Sequence, residues 1–410
     1  MTPYRDISST PSFNPSRRRP RLCILGGGFG GSYVALNVRL RHWDVVLVDR
    51  CDRFVFTPLL YERLTDELQT WEIAPTYRQL LRHTSVQFCQ DRVEAIDLDR
   101  RRVTLRDRGI LDYDALVLAL GVVGTRPPDD GVLGFRTLDN AQQLDAKLRD
   151  LEASGHIPIR VSVIGGGPSG IELACKLADR LGRRGEVRLL DRGDRILPQF
   201  TRATRRSVRN ALDRRQVRLS LKTNVTEIGN AHLTIEQKTE QNLESTTIPS
   251  DLVVWTAGTR SHPLSQTLAC DRDERGRLIV EPTLQLKGRS EVFVLGDMAA
   301  IRDRTGRSVP TTAQAAYQQA RCVAKNLQAQ TKNRPLRRFR YWHLGEMMTL
   351  GKHNGVTHSF GIHLDGALGN FVRRLVYLQR LPTLRHSLRV LWHRLTVAIS
   401  QLSSRYRSPK

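Results

Sequence analysis

Two stretches of this chain follow one pattern, and that recurrence limits the fold more than any other feature. Leu22 to Leu25 form an apolar run that leads into Gly26-x-Gly28-x-x-Gly31, after which a helical pattern and a second apolar run end at Asp49. Arg160 to Ile164 lead in the same way into Gly165-x-Gly167-x-x-Gly170, and Val187 to Leu190 end at Asp191. Each reads as strand, tight turn, helix and acid-ended strand. The first glycine allows the turn, the second lets the backbone approach a pyrophosphate, and the third lets the helix lie close on the strand with its first amides facing the negative charge. Asp49 and Asp191 stand where a carboxylate hydrogen-bonds a ribose. One such fingerprint is often only a turn. Two in the same context point to two dinucleotide sites, one flavin and one nicotinamide, and hence to electron transfer.

The segments around the fingerprints repeat as well. Tyr113 to Gly121 and Asp251 to Gly258 are both buried strands ending in glycine, which gives a ligand clearance at each strand end. A later strand ends Val-Leu-Gly-Asp and delivers Asp297 to the carboxyl edge of a sheet, where ligands are held. The expectation is an α/β fold of two Rossmann-like dinucleotide-binding domains, the second inserted in the first, plus a C-terminal amphipathic helical tail. The boundaries read as 20–137 with 262–330 for the first domain, 138–261 for the second and 331–410 for the tail region. Residues 1–19, rich in Ser, Thr, Pro and Arg, read as a disordered tail without a secretory signal.

Three further segments carry expectations. Residues 53–75, interrupted by Pro58 and Pro75, break the alternation of strands and helices and read either as a pocket wall or as a packed connection. Thr311 to Leu327 open a helix in which Gln314 and Gln318 share one face while Ala313, Ala316 and Ala320 line another, although Ala and Gln are also simply good helix formers. Val217–Ile228 and His232–Gln237 read as strands, and the polar stretch Thr239–Thr247 as a loop.

Charge and cysteine usage narrow the classes. The 65 Lys and Arg against 41 Asp and Glu leave +24, which calls for an anionic partner. Residues 332–410 hold 15 of the basic residues and only Glu346 and Asp365 as acids. Within them Phe371, Leu375 and Leu378, and then Leu384, Leu388, Leu391, Leu395, Ile399 and Leu402, recur at helical spacing, with Arg385, Arg389 and His393 in a row of their own. Two basic amphipathic helices suit a membrane surface, with arginines among headgroups; the competing reading is a helix pair packed on the protein's own core. The six scattered cysteines form no C-x-x-C, which argues against a metal cluster and a redox disulfide and fits a reducing compartment. His353, His358 and His363 match no compact ligand spacing and read as structural or surface residues, so no metal is expected. No apolar run is long enough to span a membrane, and no zinc, RRM or KH signature supports nucleic-acid binding.

Together the two fingerprints, Phe56-x-Pro58-Leu59-Leu60-Tyr61, the Gly296-Asp297 strand end, the Ala313-Gln-Ala-Ala-Tyr-Gln-Gln helix and the basic tail resemble the type II NAD(P)H:quinone dehydrogenases from about residue 20 to 395. Tyr61-Glu, Glu67 to Pro75 and Leu116 to Gly121 are most similar to the cyanobacterial and plastid branch that reduces demethylphylloquinone, in phylloquinone biosynthesis. One departure is Ala320, where the family usually has glycine. The resemblance implies noncovalent FAD in the first unit, NAD(P)H as co-substrate in the second and a quinone as acceptor. It implies that Glu172 lies near the nicotinamide and flavin rings, that Gln314 and Gln318 border the quinone end of the isoalloxazine, and that Asp297 contacts the ribityl or pyrophosphate part. It implies a peripheral enzyme on the cytoplasmic face of a plasma or thylakoid membrane, held by an anionic surface, with a homodimer left open. The other reading is a soluble FAD-dependent reductase of a protein acceptor such as a ferredoxin, its basic tail docking an acidic partner. NADH and NADPH are not separated, since Asp191 favours a free 2′-hydroxyl while Arg192 and Arg195 could receive a 2′-phosphate.

Overall fold

The structure, a computed structural model, describes residues 19–125, 131–238, 242–303 and 305–407. The tail expected over residues 1–19 lies outside them except for Arg19. The chain forms two compact units, one from residues up to Phe54, 74–123 and 259–342, the other from 55–73, 124–258 and 343–410.

The first unit is built on a six-stranded sheet in the order Gln285–Leu286, Arg289–Val294, Ala115–Leu118, Arg21–Leu25, Asp44–Asp49 and Val86–Gln90, parallel except for the first strand. Its central strands read as unbroken apolar runs because both faces of a parallel sheet are covered, and Leu22 to Leu25 are fully buried. The helix Phe29–Asn37 packs against the helix Ala313–Gln330, where Tyr33 meets Tyr317 edge-on at 4.7 Å. Ala320 is fully buried in the unit.

The second unit repeats the plan with five parallel strands, ordered Arg218–Ser220, Gly185–Leu190, Ile159–Ile164, Leu252–Trp255 and Leu133–Gly134. A three-stranded antiparallel meander covers one end and places Leu233, Ile235 and Ile248 in a core with Ile164, Leu190 and Val253. Its third strand, Leu243–Pro249, corrects the loop expected over Thr239–Thr247. Within this strand Ile248 alone is buried, so the strand is held by its ladder to His232–Lys238 rather than by alternating burial. A second antiparallel sheet, Glu346–Thr349, Gly355–Ser359 and Ile362–Leu364, carries the first tail helix, Gly366–Gln379. The second tail helix runs from Leu384 to Arg407.

The tail corrects the expected orientation of its charges. Arg373, Arg374 and Arg394 reach carboxylates on the 55–73 segment, while Arg385 and Arg389 are exposed and much of the apolar row faces out. Arg373 pairs with Glu62, Arg374 with Glu67, and Arg394 with Glu72 at 2.8 Å. His393 Nδ1 lies 3.3 Å from the same Glu72 carboxylate, and the Arg389 guanidinium stacks 4.7 Å over the Trp71 ring. Glu62, Glu67 and Glu72 recur every five residues, each meeting a tail cation. On the opposite side Leu368, Phe371, Leu375, Leu384, Leu388, Trp392, Leu395 and Ile399 are exposed. The two readings of the tail therefore combine: the polar face packs on the protein and the apolar face is left uncovered. Among the described residues no helix is long and apolar enough to cross a membrane.

Candidate functional site: two dinucleotide cradles

In the first unit the buried strand Arg21–Leu25 runs into Gly26, whose φ of +95° is open to glycine alone without strain. A Cβ on Gly31 would collide with the Gly26 carbonyl, so helix and strand touch there through backbone only. Gly28 differs. A Cβ on it would meet no atom within 4 Å, and Gly28 is the N-cap of the helix Phe29–Asn37 with no side-chain cap hydrogen bond. Open space in front of a helix N-terminus that has no capping side chain is the geometry a pyrophosphate fills. Asp49 closes the cradle: one carboxylate oxygen accepts from Gly27 N at 2.6 Å and the other from Cys51 N at 2.8 Å. Burial raises the Asp49 carboxyl above its ordinary range, against the pull of these two amides. Gly121 also borders open space, and Asp297 sits in the short turn Gly296–Met298.

Sequence reasoning missed the groups that fix this cradle from behind. The Tyr77 hydroxyl and the Ser32 hydroxyl both donate to Gly27 O, at 2.7 and 2.6 Å. Buried Gln319 accepts from Gly296 N at 2.7 Å and so holds the turn that carries Asp297. Gln319 directly follows Gln318, and its burial separates it from the two glutamines read as functional.

The second unit reproduces the arrangement. Gly165 has φ +116°, a Cβ on Gly170 would strike the Gly165 carbonyl, and Gly167 faces open space at the start of the helix Pro168–Leu181. Asp191 accepts from Gly166 N at 2.5 Å and from Gly193 N at 2.7 Å. Gly258 lies against the Thr125 side chain. The residues present in each cradle fit a dinucleotide, FAD or a nicotinamide nucleotide alike.

Glu172, two residues past Gly170, is buried on the same helix and accepts from Thr349 N at 2.9 Å. Burial pushes its carboxyl up to about 8, with the Thr349 amide and Arg373 pulling the other way. Around it lies a buried polar cluster. Arg373, 0% exposed, pairs with Glu62 and faces the Tyr377 ring at 5.3 Å. Lys176, also fully buried, pairs with Glu67. Burial drives the Tyr61 phenol far above its ordinary range, with the Glu172 charge adding to the effect.

Gln314 and Gln318 do share a helix face, as the spacing of four requires, but both carry a structural duty in the first unit. The Gln318 amide makes two bonds to the Trp342 backbone, donating to its carbonyl at 2.8 Å and accepting from its N–H at 2.9 Å. Gln314 Oε1 accepts from the Tyr341 hydroxyl at 2.9 Å. Ala313 opens the helix behind the Thr312 cap. All six cysteines are free. Among the described residues no group of three or more His, Cys, Asp or Glu could hold a metal ion.

Comparison with known proteins agrees with this geometry. Residues 20–320 match the pyridine nucleotide-disulphide oxidoreductase family. The chain is 43% identical to demethylphylloquinone reductase NdbB of Synechocystis sp., over 91% of this chain and 95% of that protein. It is 38% identical to the alternative NAD(P)H-ubiquinone oxidoreductase C1, chloroplastic/mitochondrial, of Arabidopsis thaliana, over 92% and 80%. Among solved structures, NDH2 from Plasmodium falciparum in complex with NADH superposes with a TM-score of 0.82 over 91% of this chain and 97% of that one, at 19% identity, a likeness of fold. With two cradles of one design, no cysteine pair to carry a disulfide and these relatives over nearly its whole length, the chain belongs to the type II NAD(P)H:quinone oxidoreductases, FAD-dependent members of the pyridine nucleotide-disulphide oxidoreductase family.

Proposed function

We propose that this protein is a peripheral membrane enzyme that takes two electrons from NAD(P)H and passes them to a membrane-dissolved quinone, a demethylphylloquinone-like naphthoquinone being the substrate class. The observation that carries the reading is the tail, whose apolar face is uncovered while Arg373, Arg374 and Arg394 turn to Glu62, Glu67 and Glu72 on the other side. A surface docking an acidic protein needs exposed cations but no long uncovered apolar row, so that row favours a bilayer over a protein acceptor. The naphthoquinone assignment rests on similarity to NdbB.

In the first cradle, Gly26, Gly28, Gly31, Asp49, Gly121 and Asp297 would hold FAD, which when bound supplies two-electron hydride chemistry. Gly165, Gly167, Gly170, Asp191 and Gly258 hold the nicotinamide nucleotide. Asp191, fixed by two amides, presents its carboxylate to a 2′-hydroxyl and repels a 2′-phosphate. Glu172 is assigned to the ring end of that nucleotide. Kept neutral near pH 7 by burial, it offers a proton or a hydrogen bond there without adding negative charge. Gln314 and Gln318 act as positioning residues for the acceptor end by holding Tyr341 and Trp342. Steady-state oxidation of NADH and NADPH against a panel of naphthoquinones and benzoquinones tests the reading; it fails if no quinone accelerates nicotinamide oxidation.

A further inference from the structure

The strands Gly355–Ser359 and Ile362–Leu364 are joined by only two residues, Phe360 and Gly361, with Ser359 opposite Ile362. Both turn residues have positive φ, 49° and 81°. The tightest hairpin turn demands this, and Asn, Asp and Gly are the residues that supply it at little strain. Gly361 meets the demand. Phe360 does not, because a bulky side chain in the left-handed region is strained. Nor is its ring buried in compensation: at 82% exposed it is the most exposed large apolar side chain among the described residues, and Ile362 beside it is 63% exposed.

The placement of this tip supplies its meaning. Alternation puts Thr357, Ser359, Ile362 and Leu364 on one face of the hairpin and His358 and His363 on the other. His363 lies 3.0 Å from Ser207 Oγ, so its face is turned inward. Thr357 Oγ1 donates to Gly369 O at 3.1 Å, so the other face is the one that carries the first tail helix. Ile362 therefore shares a side with Leu368, the residue before Gly369, where the outward row Leu368, Phe371, Leu375 begins.

We propose that Phe360-Gly361-Ile362 is a second membrane-inserting element, an apolar wedge entering an anionic bilayer beside the exposed face of the tail helices. The proposal rests on the membrane reading above and adds the element that lies outside the helices. A second copy of this chain is a poor occupant, since residues 332–410 carry 15 basic and two acidic residues and would meet their like charge. A phenyl ring without a polar tip gains from any apolar surroundings and needs no shaped pocket, which suits acyl chains. Their anionic headgroups match the surrounding charge.

The test uses the full-length, flavin-loaded protein with phosphatidylglycerol–phosphatidylcholine vesicles. Phe360→Asn gives the turn a residue it prefers, so the melting temperature is expected to hold or rise and the reduction of a short-chain soluble quinone to stay unchanged. Vesicle partitioning is expected to fall roughly tenfold, the equivalent of losing one buried phenyl group. Phe360→Trp is expected to add tryptophan emission that shifts to the blue on vesicles and is quenched by brominated lipid. If wild type binds vesicles and Phe360→Asn binds equally well, or the new tryptophan is not quenched, the wedge is refuted and the helix-based membrane reading stands. A change in oligomeric state in Phe360→Asn with unchanged partitioning also overturns it, in favour of a second copy. Wild type that ignores the vesicles refutes the membrane reading itself.

Discussion

Gly28 and Gly31 stand three residues apart and answer to different constraints, so the same substitution separates ligand from fold. Gly28→Ala meets only open space, and the protein should fold and melt as before in its flavin-free state while retaining much less FAD after gel filtration. Gly31→Ala drives a methyl into the Gly26 carbonyl and should lower stability by about 3 kcal/mol or more, flavin or none. Glu172 makes a pH prediction. Its folded-state carboxyl is raised to about 8 from an ordinary 4.5, so between these values the folded protein binds more protons than the unfolded chain. Its contribution to stability is therefore greatest below about 4.5 and is lost as pH rises to about 8. Thermal melts of Glu172→Gln should lose that part of the decline, and an unchanged slope between pH 5 and 8 would contradict the assignment. At this scale the glycines and both aspartates were readable from spacing alone, because local backbone geometry selects them. Tyr77, Gln319 and Ser32 were not, since what marks them is the backbone atom they reach across the fold.

Between elements, the buried pair of Arg373 and Glu62 ties the first tail helix to the 57–63 turn. Arg373→Met leaves Glu62 buried without its partner and should cost about 3–5 kcal/mol, while the double change Arg373→Met with Glu62→Leu should recover most of the loss. Urea denaturation of the three proteins measures the coupling. On the outward side, Leu388 and Trp392 are more than half exposed, so Leu388→Glu and Trp392→Glu should leave the melt within about 0.5 kcal/mol of wild type while abolishing vesicle binding. The helical spacing of the tail was legible in the sequence; its orientation was not. An amphipathic helix has two faces, and period alone does not say which one meets the protein. Three carboxylates, 300 residues and more upstream of the cations they bind, settle that. Leu243–Pro249 was misread for a related reason, because an exposed strand held by its ladder lacks the alternation that reveals a half-buried one.

For the molecule as a whole, duplication explains why so much of the architecture could be read beforehand. Two copies of strand, glycine turn, helix and acid-ended strand produce two parallel sheets, each with its carboxylate braced by two amides. Neither spacing nor geometry labels one cradle FAD and the other nicotinamide; that order is the proposal made above from the resemblance to the family. The charge excess is divided as well, part of it paired with the protein's own glutamates and the rest available to the anionic surface proposed above. Asp191 predicts the donor: kcat/KM for NADH should exceed that for NADPH, and Asp191→Ala should narrow the ratio at least tenfold in steady-state assays. The most direct measurement is the rate of NADH oxidation by flavin-loaded protein on anionic vesicles, with and without a long-tailed naphthoquinone in the bilayer. The account predicts rapid oxidation only when the quinone is present, falling to the background rate when Leu388→Glu and Trp392→Glu release the enzyme from the vesicles. Equal rates with and without the quinone, or full activity on the bilayer quinone from enzyme that no longer binds vesicles, would contradict it.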